Sequence, residues 1–372
     1  MSRSKNKELM KQTELGNTSE VKRLLTDEVD VNYQDERGRS PLMSAVQQNN
    51  IELAKVLMKA GGDVNLRDNM LLTPFICAAA NGFHEILEAG THYGADVKLA
   101  NRFGGTALLP SSEKGFLKAV DIAIKAGVPI NHINDLGWTA LQEAVVLGDG
   151  GVLYTLIVKM LMNNGADPTT KDHDNKTAID WAMEKKQDNI LDLLNQSGDK
   201  NDLNEKEVAV ILELISNNKY IEGLKQIEKS KKQSSNLTYD YLKGYTLTLL
   251  NRYDEGINVF KEALHKDEGN SEFYFYIANA LREQKKVDEA LAVYDEAIEQ
   301  DPLNFFFRYH KSNYLRELGR HEEAIKEMDE LLSHDPNRYD YVFHKANSLR
   351  VLGNGDEADR LLEEFQKDKQ SH

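Results

Sequence analysis

A short phrase recurs at fixed spacing through the first half of this 372-residue chain. It opens with Asp or Asn, usually has Gly three residues later, and continues with Ser or Thr and an apolar residue. Its copies are Asp35–Leu42, Asp68–Phe75, Asn101–Leu108, Asn134–Leu141 and Asp172–Ile179. The first three steps span 33 residues and the fourth spans 38. A period of this length predicts a solenoid, in which each repeat packs only against its neighbours.

Each copy predicts a tight turn followed by a helix. Glycine fits the turn because it adopts positive φ easily, Ser or Thr caps the helix, and Pro fits its first position. Leu71 replaces the turn glycine, so we expect that turn to be distorted; Asn175 also replaces it, but Asn tolerates the left-handed conformation. The stretch Leu147–Gly151 predicts a longer loop between the two helices of the fourth unit.

The units also close with related phrases, among them Gly61–Asn65, Gly94–Lys98 and Gly127–Asn131. Together these phrases resemble the ankyrin repeat over residues 1–198. The resemblance implies about six helix pairs joined by short β-hairpin turns, with binding through turn tips and inner helices. The run 101–151 resembles bacterial ankyrin-repeat proteins, a family described as protein-binding.

After a polar linker at 199–203 the period changes to 34 residues. Small residues occupy unit positions 8 and 20, and large ones occupy positions 4, 11 and 24. Full units begin at Leu237, Ser271, Phe305 and Tyr339, after a weaker unit at 204–236. This pattern resembles the tetratricopeptide repeat (TPR) over 204–372, in about five copies. The expected fold is therefore all-α, with two α-solenoids in tandem.

The TPR resemblance implies that the first helix of each pair lines a concave groove. Three columns of side chains, with two histidines, then become candidate partner-binding residues: Asn279, Asn313 and Asn347; Arg282, Arg316 and Arg350; Phe275, Tyr309 and Phe343; His310 and His344. Asparagine pairs with peptide main chain, arginine with carboxylates, and aromatic rings supply contact area. This predicts a peptide ligand with acidic residues or a free C-terminus. Alternatively, the Asn and aromatic columns serve packing between repeats, and Glu283 and Glu317 neutralise the arginines.

The ankyrin half offers a second candidate surface at its turns. Large side chains at turn tips predict contact with a partner. The candidates are Met70, Arg102, Phe103 and Leu136. Trp138 precedes the capping Thr139, and we expect it to pack between adjacent turns.

Composition narrows the function classes. The formal net charge is −15, divided as −5 over 1–198 and −10 over 199–372. Nucleic acids and anionic membranes attract clustered positive charge, so neither is an expected partner. No apolar run reaches the ~18 residues of a membrane helix, and the N-terminal residues lack the apolar core of a secretory signal, so we expect a cytoplasmic location.

Catalytic chemistry is not expected. The lone cysteine, Cys77, lies among apolar residues and predicts a buried, inert thiol. No metal-ligand spacing, nucleophile motif or nucleotide fingerprint occurs, so no cofactor is expected. The sequence predicts a non-catalytic adaptor for protein or peptide partners. A regulator or inhibitor of one partner, and a bacterial effector acting on host proteins, remain as alternatives, and the oligomeric state stays open.

Overall fold

The computed structural model describes residues 2–195, 203–231, 236–266 and 270–370, and in these ranges it has 22 α-helices and no strand. The chain divides into two compact units, residues 1–198 and 199–372. The predicted all-α fold with tandem solenoids is confirmed. Of the predicted linker, residues 199–202 lie outside the described ranges, and residue 203 begins a helix.

The first unit contains six pairs of short helices within its described residues. They are α1 (Ser2–Glu14), α2 (Thr18–Leu24), α3 (Pro41–Gln47), α4 (Ile51–Lys59), α5 (Pro74–Ala80), α6 (His84–His92), α7 (Leu108–Glu113), α8 (Leu117–Lys125), α9 (Ala140–Leu147), α10 (Val152–Asn163), α11 (Ala178–Glu184) and α12 (Asp188–Leu194). The inner helices α3, α5, α7, α9 and α11 stack in order, because each packs on the next. Buried Ala45, Ala78 and Ala144 allow this close approach.

The turns before the inner helices share one hydrogen-bonded form. The Asp68 backbone N–H donates to Leu72 O at 2.9 Å, and the Asp68 carboxylate accepts from the backbone of Met70 and Leu72. Leu71 has φ of 57°, in the region that Gly38 occupies at 75°. The distortion expected at Leu71 is therefore absent, since leucine itself adopts the left-handed conformation.

Leu71 should store strain, because the left-handed conformation costs a leucine about 1 kcal/mol. Its side chain is 45% exposed, so truncation removes little packing. We expect Leu71→Gly to raise the free energy of unfolding by about 1 kcal/mol, measured by urea titration. Asn175→Gly is the matched control and should change less, since Asn tolerates this conformation better. A less stable Leu71→Gly protein would mean that packing of this side chain outweighs its strain.

Side-chain caps begin most of the inner helices as predicted. The hydroxyl oxygens of Ser40 and Thr73 each accept a backbone hydrogen bond, and Thr139 and Thr177 form capping boxes. The cap predicted at Thr106 is wrong. Its hydroxyl is buried without a hydrogen-bond partner in the described part of the chain, because the backbone at this start is already helical and Leu109 N–H donates to Thr106 O instead.

Asparagines at the ends of three repeats tie each repeat to the next one. They are Asn32, Asn65 and Asn131. Asn65 donates to Gly94 O at 2.9 Å and accepts from Asp96 N–H at 2.7 Å. Lys98 stands at this position in the repeat formed by α5 and α6, where the residue that would donate is Pro129, which has no N–H. An asparagine at position 98 could donate a hydrogen bond to the next repeat but could not accept one from Pro129, and the sequence has Lys98 there instead.

The extra residues of the fourth unit form the predicted loop between α9 and α10. Lys185 Nζ donates to the carbonyl oxygens of Val146 and Gly148 at 2.6 and 2.7 Å. These contacts satisfy carbonyl groups at the C-terminal end of α9. The loop is thus tied to the following repeat.

The second unit contains five helix pairs within its described residues. They are α13 (Leu203–Ser216), α14 (Tyr220–Lys231), α15 (Leu237–Leu249), α16 (Tyr253–Lys266), α17 (Glu272–Glu283), α18 (Val287–Gln300), α19 (Phe305–Glu317), α20 (His321–His334), α21 (Tyr339–Val351) and α22 (Gly355–Gln370). Small residues let the helices of a pair approach closely. A Cβ added to Gly244 would lie 2.2 Å from the Phe260 ring, and Ser312 Oγ donates to Ala324 O at 3.0 Å.

Candidate functional site

The aromatic column of the TPR unit lies mainly between helices. Phe275 is 1% exposed and packs 4.9 Å from the Phe306 ring centroid, and Tyr309 is 2% exposed. Only Phe343 of this column is partly accessible. The structure therefore corrects the expectation that Phe275 and Tyr309 supply groove contact area, because the next repeat covers both rings.

The two predicted histidines are buried in the same layer. The His310 ring lies 4.4 Å from the Phe306 ring, and His344 Nε2 lies 3.2 Å from the Tyr309 hydroxyl. The His344 contact joins α21 to α19, and the His310 contact lies within α19. His310 also packs 4.8 Å from the Phe275 ring of the preceding repeat, so both histidines contribute to packing between repeats.

The Asn column lies beside the Arg column and bonds within its own helices. Asn279 Oδ1 accepts from Arg282 at 3.3 Å, and Asn313 Oδ1 accepts from Arg316. Asn347 instead donates to Phe343 O at 2.9 Å. The asparagines thus help hold two of the arginines in place.

Arg282 belongs to an ion pair that links two repeats. Its Nη2 donates to Glu317 Oε2 at 2.7 Å, and its guanidinium lies 4.4 Å from the Tyr314 ring centroid. The side chains are 12% and 23% exposed. Burial disfavours the charge of Arg282, but Glu317 together with the hydroxyls of Tyr294 and Tyr314 outweighs this effect and holds the pKa of Arg282 above its usual value. Arg282 is therefore charged at neutral pH.

The other two arginines differ in their charge partners. Arg350 Nη2 lies 2.6 Å from Asp359 Oδ1. Arg316 bonds to Asn313, while its Nε is buried without a hydrogen-bond partner, and it forms no ion pair with any described residue. Arg316 is therefore the member of the column whose charge is not matched by a carboxylate in the described part of the chain.

The candidate residues at the ankyrin turns form one surface in part. Met70 is 39% exposed, and its sulfur lies 3.6 Å from Arg102 Nη1. The Arg102 guanidinium lies 4.5 Å from the Phe103 ring centroid, and Phe103 O accepts from Asp135 N–H at 3.0 Å. Leu136, the next residue after Asp135, is partly exposed. Arg102 thus contacts apolar groups of two successive turns, Met70 and Phe103, and Leu136 lies on the turn after them.

Trp138 packs between repeats, and the acceptor of its N–H was missed from the sequence. Asp172 Oδ2 accepts from Trp138 Nε1 at 3.1 Å and from Trp181 Nε1 at 2.7 Å. One carboxylate thus binds both tryptophans of the chain. In the sequence, Asp172 stands out only as the first residue of the fifth turn. It lies 34 positions after Trp138, so the sequence does not indicate the contact.

Glu143 on α9 is a second residue that the sequence did not single out. Its Oε1 accepts from Asn134 Nδ2 at 2.7 Å, and its Oε2 is buried without a hydrogen-bond partner among the described residues. Burial, with repulsion from Glu113, raises the pKa of this carboxyl well above its usual value. An acidic residue amid an apolar inner helix was the available signal.

Within the described ranges no group of His, Cys, Asp and Glu side chains is arranged to hold a metal ion. None of the described helices has the length and apolar content needed to cross a bilayer. Cys77 is buried, as predicted.

Comparison with known proteins defines the class of both units. A family model described as ankyrin repeats (3 copies) matches residues 9–99 and 75–172. Two models described as tetratricopeptide repeat match 241–305 and 293–326. The chain is therefore a repeat protein built from two kinds of protein-interaction module.

Solved structures resemble the ankyrin half. An ankyrin repeat domain from Acinetobacter baumannii AYE is 39% identical, with a TM-score of 0.50, over 51% of this chain and 97% of that one. The ankyrin repeat protein EF0377 is 40% identical, with a TM-score of 0.50, over 50% of this chain and 96% of that one. No curated protein matches. The chain belongs to the ankyrin-repeat proteins and carries tetratricopeptide repeats in its C-terminal part.

Proposed function

We propose that the chain is a non-catalytic cytoplasmic adaptor that binds one protein on its TPR groove and another on its ankyrin turns. Both repeat types are protein-interaction modules. The proposal treats each unit as a separate binding surface.

Arg316 is the observation that carries the TPR side of the proposal. A guanidinium without a carboxylate partner on a concave surface favours a ligand that brings its own carboxylate. Asn279 and Phe343, both partly accessible, lie along the same predicted groove face. The ligand we propose is an extended protein segment that places a carboxylate on Arg316.

The ankyrin side rests on the turn surface formed by Met70, Arg102, Phe103 and Leu136. Met70 is exposed and Phe103 and Leu136 are partly exposed. Accessible apolar groups on successive turns favour a partner that covers them. Arg102 contacts both Met70 and Phe103, so it holds the surface together and offers a charge to the partner.

Two pairs of variants test the adaptor proposal. Arg316→Ala removes the groove charge, and Arg320→Ala is its control because Arg320 pairs with Glu323 outside the predicted groove positions. Met70→Glu places a charge on the turn surface, and Tyr93→Glu is its control because Tyr93 is exposed at the C-terminal end of the outer helix α6. Each full-length protein is immobilised, and the proteins retained from native cell lysate are quantified by mass spectrometry.

We expect Arg316→Ala to retain at least about tenfold less of one set of proteins than the parent does, since a charged hydrogen bond contributes roughly 1.5–3 kcal/mol. Met70→Glu should lose a different set, and the controls should lose neither. Loss of the same single protein from both variants would instead identify a regulator of one partner. Unchanged retention by Arg316→Ala would refute the groove as the working site.

A further inference from the structure

The predicted groove of the TPR unit is not basic, despite its column of arginines. The TPR resemblance predicts that unit positions 2, 5, 6, 9, 12 and 13 face the groove, and in α17, α19 and α21 these positions carry three arginines against four acidic residues. The arginines are Arg282, Arg316 and Arg350, and the acids are Glu272, Glu283, Glu317 and Asp340. Asp340 is neutralised by Arg338 at 2.7 Å, so three acids remain opposite three arginines. A run of ligand acids would therefore find no surplus of positive charge.

The acids also occupy particular places beside the arginines. Glu317 follows Arg316 in the chain, yet its carboxylate lies on Arg282 of the preceding repeat, at 2.7 Å. Successive residues of a helix do not face each other, so Glu317 leaves Arg316 and reaches the neighbouring helix. Glu283 stands at the equivalent position one repeat earlier, where desolvation raises the pKa of its carboxyl to about 7, so it is only partly ionised at neutral pH. One unmatched guanidinium, at Arg316, is thus flanked by two acidic positions.

The predicted groove offers one unmatched guanidinium to a ligand. A single ligand carboxylate therefore gains Arg316 as a partner. A second carboxylate on the ligand must displace Glu317 from Arg282, or Asp359 from Arg350, or remain unpaired beside Glu283. Like charges in a partly desolvated site repel strongly, because solvent screens them poorly.

We propose that Glu283 and Glu317 make the groove select a segment with one carboxylate among uncharged side chains and reject runs of acidic residues. The proposal rests on the proposed groove function and deepens it by defining the ligand's charge. It narrows the sequence-based expectation of an acidic segment to one isolated carboxylate, supplied by a side chain or by a free C-terminus.

Selection from displayed random dodecapeptides with free carboxyl termini tests this proposal on the full chain. The targets are the parent protein, Glu283→Gln, the double variant Glu283→Gln/Glu317→Gln, and Arg316→Ala. Glu323→Gln is the control, because Glu323 is a glutamate outside the predicted groove positions. Glu283→Gln leaves the Arg282–Glu317 pair in place, so its result does not depend on breaking that pair, and circular dichroism verifies folding.

We expect the parent and Glu323→Gln to enrich peptides with one carboxylate, and the double variant to enrich peptides with several. In fluorescence anisotropy, adding a Glu beside the carboxylate of an enriched peptide should weaken binding to the parent at least about fivefold. The same addition should weaken binding to the double variant by less than about twofold. For the single variant Glu283→Gln, the added Glu should weaken peptide binding by an intermediate factor.

The outcomes separate this inference from the proposed function. Equal acid content in peptides from the parent and the double variant, with enrichment lost in Arg316→Ala, would overturn the selectivity and leave the groove function standing. Enrichment that survives Arg316→Ala, or no enrichment by the parent, would overturn the groove function itself.

Discussion

Replacing Asp172 with Asn should lower the free energy of unfolding of the ankyrin unit by about 3 kcal/mol, since a hydrogen bond to a charged group contributes roughly 1.5–3 kcal/mol. The buried Asp172 Oδ2 accepts from both indoles. An amide nitrogen at that place would face two N–H donors and satisfy neither. The variant should keep its turn, because Asn101 and Asn134 accept the equivalent backbone bonds in theirs.

Asp68→Asn is the matched control for this change. Asp68 accepts the same two backbone bonds in the second turn, while both indoles of the chain donate to Asp172 instead. We expect this control to change stability by less than about 0.5 kcal/mol, as for substitutions that leave such contacts intact. If Asp172→Asn and Asp68→Asn unfold at the same urea concentration, the shared carboxylate does not stabilise the array.

Fluorescence gives this prediction a second readout. Both tryptophans of the chain lie on Asp172, with Trp138 before the fourth inner helix and Trp181 on the fifth. Terminal repeats of a solenoid depend on one neighbouring interface, so weakening this contact should release the last repeat early. In urea, the fluorescence transition of Asp172→Asn should precede the circular dichroism transition, while the two should be closer in the parent protein.

The architecture was predictable because its signals are local and repeated. Turn glycines, capping residues and small residues at helix contacts recur with the period of the fold, so each copy supports the others. Leu71 shows the limit of such reasoning. A missing glycine indicated a distorted turn, but the Asp68 carboxylate accepts backbone hydrogen bonds on both sides of Leu71, and these hold the leucine in the left-handed conformation.

The candidate site was predictable only in part. Periodicity identifies the residues that share a helix face, but it does not show how deeply the next repeat covers them, and Phe275 and His310 are covered. Neutralisation by Glu317 was anticipated, yet its partner is Arg282 and not the adjacent Arg316. Such contacts depend on how closely adjacent repeats pack, and the sequence pattern of one repeat does not show this.

Glu143 should make the stability of the ankyrin unit fall as pH rises, and Glu143→Gln should remove that dependence. Burial and repulsion from Glu113 raise the pKa of the folded carboxyl well above the unfolded value of 4.5. The folded protein therefore holds a proton that unfolding releases. Above pH 4.5 and up to the folded pKa, each pH unit should cost about 1.4 kcal/mol of stability.

Urea unfolding of the two proteins at pH 5, 6, 7 and 8 measures this difference. Glutamine is neutral at every pH and can accept the same bond from Asn134, so any fixed effect of its amide cancels from the pH trend. We expect the stability of Glu143→Gln relative to the parent to rise steadily as the pH increases from 5 towards the folded pKa of Glu143. Other titrating groups are common to both proteins and do not enter the difference.

Two further variants connect this trend to its physical cause. Glu113→Gln removes the neighbouring negative charge, so it should lower the folded pKa of Glu143 and weaken the trend without abolishing it. Glu52→Gln changes an exposed carboxyl on α4 and should leave the trend intact. Parallel pH profiles for the parent and Glu143→Gln would show that the carboxylate ionises inside the fold. In that case the buried Oε2 would have to acquire a donor that the described residues do not provide.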